Sequence, residues 1–385
     1  MSDSRAPSLL LNDEQKMLSK TAHEFIRERA PAARLRSFRD SKDEVGFSPE
    51  LWAEMAELGW LGLQIPEEYE GLGLGFFDLC VVLEQAGREL MPEPFVSTLL
   101  LGTQALLIAG THAQKKAFLP GIAAGEKLVS LGYEERYAGR HPETLNSVVR
   151  PIGDRFQLDG EKVQVLDAHV ADAIIVSAAT DASIEATGTT LFLVDPGQDG
   201  VSITRQHRID GHNAAIVRLE GVLVDRGAVV GEFGAGEALI ESILDRASIG
   251  LAAQMLGGAE QAFADTVEYL KEREQFGVPI GSFQALQHRA VSVYTEIALT
   301  RSVVLAAARA VDESPDEVPR LASLAKANAS ESFIHAAKEA IQMHGGIGVT
   351  DEHDIGFYMK RAQATYMTFG TPSQHRRRWA ELHGY

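Results

Sequence analysis

The chain has 385 residues, 45 % hydrophobic and 23 % charged, enough to bury more than one compact core. Its 36 basic residues face 54 acidic ones, and the net charge of −18 excludes a global footprint for nucleic acid or anionic lipid. The single cysteine, Cys80, excludes a disulfide framework and a cysteine-based metal site; it sits in the apolar stretch Leu79 to Leu83 and reads as core.

The N-terminal segment has an acidic residue at position 3 and no apolar run of signal length, and no 18 consecutive apolar residues occur. The expectation is a cytoplasmic protein with no membrane contact. From Asn12 the pattern is helical: Asn12 and Gln15 form a capping-box pair ahead of Met17, Leu18, Ala22, Phe25 and Ile26 at helical spacing. A second start, Ser48 followed by Pro49, leads into Leu51, Trp52, Met55 and Leu58, and Gly59 and Gly62 end that helix. Gly71, Gly73 and Gly75 mark a tight loop before a third apolar helix, Phe76 to Leu90. No strand precedes these glycines, so they do not read as a phosphate cradle.

After Gly125 the runs Val163 to Val165, Ala173 to Ala178, Thr190 to Val194, Val201 to Thr204 and Ala215 to Val224 are short and rich in Val and Ile. Asp159-Gly160 and Asp210-Gly211 read as turns between strands. Long helical patterns return at Glu237 to Lys271, Gln284 to Val311 and Leu321 to His344, with shorter ones after Asp351 and Pro372. The fold class is therefore α+β: an N-terminal helical domain over 1–125, a middle β-barrel or sandwich domain over 126–235, and a C-terminal four-helix bundle over 236–385. The apolar stripes between Ala285 and Val311 are expected to be bundle core. The run Arg376-Arg377-Arg378 is expected to face solvent or a subunit.

Two strings carry chemistry. At the end of a long helix, Arg273 supplies a forked cation suited to a pyrophosphate, and Phe276 and Phe283 follow as cover for a nucleotide ring system. Gly345 and Gly346 lack Cβ atoms, so a phosphate can come close to their N–H groups. The bland alternative is a capping arginine and a glycine helix stop. His344 reads as local structure, because one histidine without a second ligand at metal spacing makes no metal site.

The strings Arg273 to Gln287 (R-E-Q-F-G-V-P-I-G-S-F-Q-A-L-Q) and Gln342 to Gly348 (Q-M-H-G-G-I-G) resemble two motifs of the acyl-CoA dehydrogenase family. Glu57 to Gly71 and Gln114 to Glu126 add supporting matches, so the resemblance spans nearly the whole chain. It implies FAD held by Arg273, Gln275, Phe276, Phe283, Leu286, Gln342, Gly345, Gly346 and Thr371, at the junction of the β domain and the C-terminal bundle. It also implies a tetramer whose neighbouring subunit completes the cofactor site. The implied reaction is α,β-dehydrogenation of an acyl-CoA thioester, with electrons passed to an electron-transfer flavoprotein.

The chain departs from that pattern at the base. Many members carry a Glu before a Gly-Thr near the C-terminus, and here that place is Phe369-Gly370-Thr371. Other members put the base on the long helix just before an Arg, which here makes Asp245 the candidate base and Arg246 the substrate-binding cation. Aspartate reaches about 1.5 Å less than glutamate. Glu241, one turn earlier, is a second candidate. The usual Thr-Glu-Pro, Gly-Ser-Asp and Trp-Ile-Thr segments are replaced by Glu134-Glu135-Arg136, Gly139-Arg140-His141 and Gln164-Val165-Leu166.

These losses, with Glu352 to Ala362 and His375-Arg376, resemble a branch whose members form α2β2 tetramers in which one partner lacks the usual base. The resemblance leaves two main readings: a dehydrogenase using Asp245, or a cofactor-completing subunit whose paralogous partner supplies the base. A flavin oxidase on the same fold is the third.

Overall fold

The computed structural model describes residues 10–136, 146–180 and 188–385. The chain divides into two compact units, each assembled from separate stretches of sequence. The first contains Met1–Ser41, Gly75–Met91 and Ser248–Tyr385; the second contains Lys42–Leu74 and Pro92–Ala247.

Capping chemistry sets where the helices of the first unit begin. In α1 (Asp13–Arg29) the Asn12 side chain accepts from Gln15 N at 2.8 Å, and the Gln15 side chain accepts from Asn12 N at 3.1 Å. Helix α2 (Arg34–Ser41) follows, and α4 (Phe76–Arg88) starts where the Asp312 carboxylate accepts from Phe76 N and Phe77 N at 2.9 and 3.0 Å. Cys80 is buried in α4, where desolvation pushes its thiol pKa well up and keeps it unreactive. Helix α7 (Gly236–Glu272) passes α4 so closely that a Cβ on Gly257 would overlap the Glu84 carbonyl and one on Gly87 the Gln254 carbonyl. Between them, Arg301 of α8 (Gln284–Glu313) reaches Glu84 at 2.8 Å and Glu260 at 2.9 Å, and Arg88 also pairs with Glu260. Helix α9 (Val318–His344) packs against α8, α10 (Ile355–Met367) and α11 (Pro372–Glu381).

Helix α8 departs from the expected core stripe. Val293, Ile297, Thr300 and Val304 are buried, but Val291, Tyr294 and Leu299 are 62–66 % exposed. By length and composition α8 is apolar enough to cross a membrane, yet Arg301 is fixed inside the bundle by two carboxylates. The arginine run is tied to acidic and backbone partners: Arg376 pairs with Glu331, and Arg378 bonds to Pro319 O and Ser323 Oγ.

The second unit holds α3 (Pro49–Glu57), capped by Ser48 with Pro49 at its first position, and closed by Gly59 at φ +78°. A π-helix (Phe95–Gly102) runs into α5 (Thr103–Ala109), and α6 (His112–Ala123) follows. Eight strands form one sheet: β1 (Val129–Gly132), β2 (Val148–Ile152), β3 (Arg155–Leu166), β4 (Ala173–Thr180), β5 (Thr189–Val194), β6 (Val201–His207), β7 (Asn213–Asp225) and β8 (Val229–Val230). The order is β6-β7-β3-β2-β4-β5-β8, with β1 paired to β4. Its core is a Val, Ile and Phe cluster including Phe156, Leu158, Val176, Phe192 and Val217. Asp210-Gly211 is a turn, but Asp159-Gly160 is not: it lies inside β3, opposite a bulge that β7 makes at Glu220-Gly221, and a Cβ at Gly160 would overlap Ser147, the residue before β2.

Candidate functional site

The two halves of the candidate set fall in different units. In the first unit, α7 ends one residue before Arg273, whose N–H bonds to Tyr269 O at 2.8 Å and whose side chain is exposed. The chain then makes a two-stranded hairpin, β9 (Glu274–Gln275) against β10 (Val278–Pro279). Its turn residues, Phe276 at φ +56° and Gly277 at φ +80°, both take the left-handed conformation that a two-residue type I′ turn requires. Glycine suits this turn and phenylalanine does not, so the hairpin holds a strained aromatic at its tip. Phe276 is 93 % exposed and meets Phe283 edge-on, with centroids 6.1 Å apart. The Gln275 amide folds back onto Glu274 O at 2.7 Å, and Leu286 is half-buried in the first turn of α8.

The glycine loop lies beside the end of α7. Tyr269, four residues before Arg273, stacks on His344 at a centroid distance of 4.4 Å, and its hydroxyl donates to His344 O at 3.3 Å. His344 Nδ1 donates to Ala340 O at 2.7 Å, and the His353 ring packs against it with centroids 4.6 Å apart. Burial holds the His344 imidazole below its ordinary pKa, which favours the neutral ring in this stack. Gly345, at φ +65°, closes α9, with its N–H bonded to Gln342 O; Gln342 itself is exposed. Gly346 is the informative residue, because an added Cβ would meet nothing within 4 Å and its φ is not in the left-handed range. The chain's own packing therefore gives no reason for glycine there, whereas the close approach of a ligand does. Tyr269, a residue that no sequence motif singles out, thus links the helix turn before Arg273 to the residue before Gly345.

The segment Phe369-Gly370-Thr371 is held firmly in the same unit. Phe369 is 2 % exposed at φ +58°, His375 donates to its carbonyl at 2.9 Å, and the fully buried Lys326 donates to Gly370 O at 2.9 Å. Thr371 caps α11, exchanging hydrogen bonds with Gln374. The structure uses its hydroxyl locally.

In the second unit, Asp245 lies on the first part of α7 and is 5 % exposed. Arg246 is half-buried and its guanidinium donates to Ser242 Oγ at 2.7 Å and Ser242 O at 3.0 Å. Glu241 is exposed. Of the two carboxylates, only Asp245 is sheltered from water, as a base working on a weakly acidic C–H proton requires.

The strand residues that replace the family segments have structural work. Glu135 takes the Lys162 ammonium at 2.6 Å and accepts from Asn146 N and Ser147 N at 2.6 and 3.0 Å. Burial opposes ionisation of Glu135, but the charge of Lys162 and these donors hold its carboxyl below the ordinary range. Burial pushes the fully enclosed Lys162 down to about 8 against the pull of Glu135. Arg136 pairs with Glu161, and Gln164 is exposed at φ +54°. Gly139-Arg140-His141 lies outside the described residues.

Comparison with known proteins agrees with this architecture. The acyl-CoA dehydrogenase N-terminal domain matches residues 12–126 and the acyl-CoA dehydrogenase C-terminal domain matches residues 234–382. A 3-(aryl)acrylate reductase of Clostridium sporogenes (strain ATCC 15579) is 33 % identical, over 86 % of this chain and 90 % of that protein. The butyryl-CoA dehydrogenase structure from Megasphaera elsdenii aligns with a TM-score of 0.91 at 28 % identity, covering 98 % of this chain and 100 % of that one. A chain of the ChsE4-ChsE5 complex from Mycobacterium tuberculosis aligns with a TM-score of 0.88 at 26 % identity, covering 98 % and 99 %. The chain belongs to the acyl-CoA dehydrogenase family. That family is FAD-dependent and comprises oxidoreductases acting on CH–CH bonds.

Proposed function

We propose that this chain is the FAD-binding subunit of an acyl-CoA dehydrogenase that oxidises the α,β bond of an acyl-CoA thioester and passes electrons to an electron-transfer flavoprotein. One observation carries the reading: the helix end that precedes the exposed Arg273 is tied by Tyr269 to a glycine loop whose Gly346 the fold itself does not require, and the paired rings of Phe276 and Phe283 follow Arg273 in the chain. These residues fit FAD: the Arg273 fork and the open backbone at Gly345 and Gly346 suit its pyrophosphate, and Phe276 and Phe283 offer ring surface. Bound FAD would supply the acceptor for the hydride that leaves the β carbon.

The proton at the α carbon falls to the chain's own residues. Asp245, enclosed on α7, is the candidate base, and Arg246 beside it is the cation for the substrate. Phe369 has no group to take a proton. Asp245→Ala should abolish turnover while FAD remains bound; full activity in that variant removes Asp245 from the mechanism.

A second reading is favoured by Phe369 at the place of a glutamate and by the likeness to a chain of a two-component complex. In it a paralogous partner supplies the base, in an α2β2 tetramer in place of a homotetramer. The exposed face of α8 at Val291, Tyr294 and Leu299 suits either assembly. Activity that appears only on mixing with a paralogous chain, and survives Asp245→Ala, selects this reading.

A further inference from the structure

Four helices of the first unit wall a funnel that the functional reading above does not use. Its open part, about 530 Å³, lies between α1, α4 and α8. Its inner part, about 40 Å³, lies between α4, α7 and α8, and the two parts share Leu11, Ser19, Glu84 and Arg301 as walls. The Gln85 amide, which also lines the open part, donates to Ser19 Oγ at 3.4 Å and so joins α4 to α1 there.

The two parts differ in chemistry. Lys16, Lys20 and His23 fall on one face of α1, at intervals of four and three residues, and line the open part together with Arg88 and Arg301. The inner part is apolar: Phe77, Cys80 and Val81 of α4, Ala253 of α7, and Val304 and Ala308 of α8 line it.

Charge in the open part is out of balance. Glu84 and Glu260 hold the two arginines, but burial, with Glu84 beside it, keeps the Glu260 carboxyl above its ordinary range. Lys16 and Lys20 pair with Asp13 and Glu24 at 2.9 and 3.9 Å, exposed pairs along α1 itself that hold them weakly. The Arg88 Nε–H is buried and, among the described residues, has no hydrogen-bond partner. Such a donor is costly until an acceptor reaches it, and a cationic donor is met best by a carboxylate. In a chain of net charge −18, a hollow lined by these cations concentrates small anions.

We propose that this funnel binds a short-chain monocarboxylate, with its carboxylate between Arg88 and the α1 lysines and its alkyl tail in the inner part. A fully polar anion such as phosphate would leave the apolar end unfilled, and an uncharged chain would leave the Arg88 donor unpaired. The site is independent of the acyl-CoA reading, because none of its residues belongs to the flavin or substrate set described above.

The test is a ligand-observed NMR titration of the purified chain with acetate, propionate and butyrate, and with butyramide as the uncharged counterpart. Butyrate should bind with a dissociation constant of about 1 mM, and affinity should rise about fourfold with each methylene from acetate to butyrate. Butyramide should bind about tenfold more weakly than butyrate. The double variant Lys16→Glu, Lys20→Glu changes two exposed positions, so its fold should hold while butyrate affinity falls about tenfold or more. Ala308→Val fills the inner part and should remove the gain from acetate to butyrate. Ala308 is fully buried, so if that variant does not fold the lysine variant decides the matter. Absence of butyrate binding at about 10 mM, butyramide binding as tightly as butyrate, or butyrate affinity unchanged in the lysine variant would each overturn the proposal.

Discussion

Tyr269 and His344 stack with their centroids 4.4 Å apart and their planes 24° from parallel, joining the end of α7 to the end of α9. One contact therefore links the helix turn before Arg273, which follows Tyr269 by four residues, to Gly345, which follows His344 directly. A ring pair of this kind contributes about 1 kcal/mol beyond its buried area. Tyr269→Ala should lower the flavin content of the purified protein several-fold, whereas Tyr269→Phe, which keeps the ring, should retain it. The flavin-to-protein absorbance ratio checks this. Full flavin content in Tyr269→Ala would show that the two helix ends are held by other means.

Gly346→Ala separates folding from binding. No atom stands within 4 Å of the added methyl group, so chemical denaturation should show stability unchanged within about 0.5 kcal/mol. Flavin content should fall, because the methyl group occupies the space the ligand backbone contact needs. A Gly346→Ala protein that is equally stable and equally yellow would leave this glycine without a binding role.

Asp167 gives the fold a pH dependence of known sign. Burial raises its carboxyl to about 6 against the hydrogen bond from Ser97, compared with 3.8 for the ordinary side chain. Between these values the folded chain holds a proton that the unfolded chain has released. Its contribution to stability is complete below pH 3.8 and is lost as pH rises through 6. Asp167→Asn keeps an acceptor for Ser97 and removes the charge. It should gain about 2–3 kcal/mol at pH 7 and flatten this part of the stability profile between about pH 4 and 6. Denaturant midpoints measured across that range check both statements, and an unchanged slope with lower stability at pH 7 would contradict them.

Much of the helical architecture is legible in the sequence because its signals are local. Asn12 with Gln15, and Ser48 with Pro49, announce helix starts within four residues, and the structure places α1 and α3 there. The sheet is less legible because its pairing is not local. Asp159-Gly160 has the composition of a turn, but it continues through β3 opposite a bulge at Glu220-Gly221 of β7, more than sixty residues away in sequence. Lys162 has the chemistry of a surface residue, yet alternation from Phe156 and Leu158 points it inward; a register shift between Lys162 and Val165 then turns Gln164 out. Strands β1 and β2 give short and weak signals, and nothing in Phe95 to Gly102 distinguishes i→i+5 winding from an ordinary apolar helix. At the candidate site, Arg273, Phe276 and Gly345 can be picked from their motifs, but Tyr269 cannot, since its role comes from a stack across 75 residues of sequence.

The most direct measurement is the visible spectrum of the purified chain, recorded anaerobically before and after addition of saturated acyl-CoAs of increasing length and branching. The account predicts a bound flavin whose absorbance bleaches with at least one of them, and an Asp245→Ala protein whose flavin stays oxidised with all. A chain that carries no flavin, or a wild-type flavin that no acyl-CoA reduces, would contradict it.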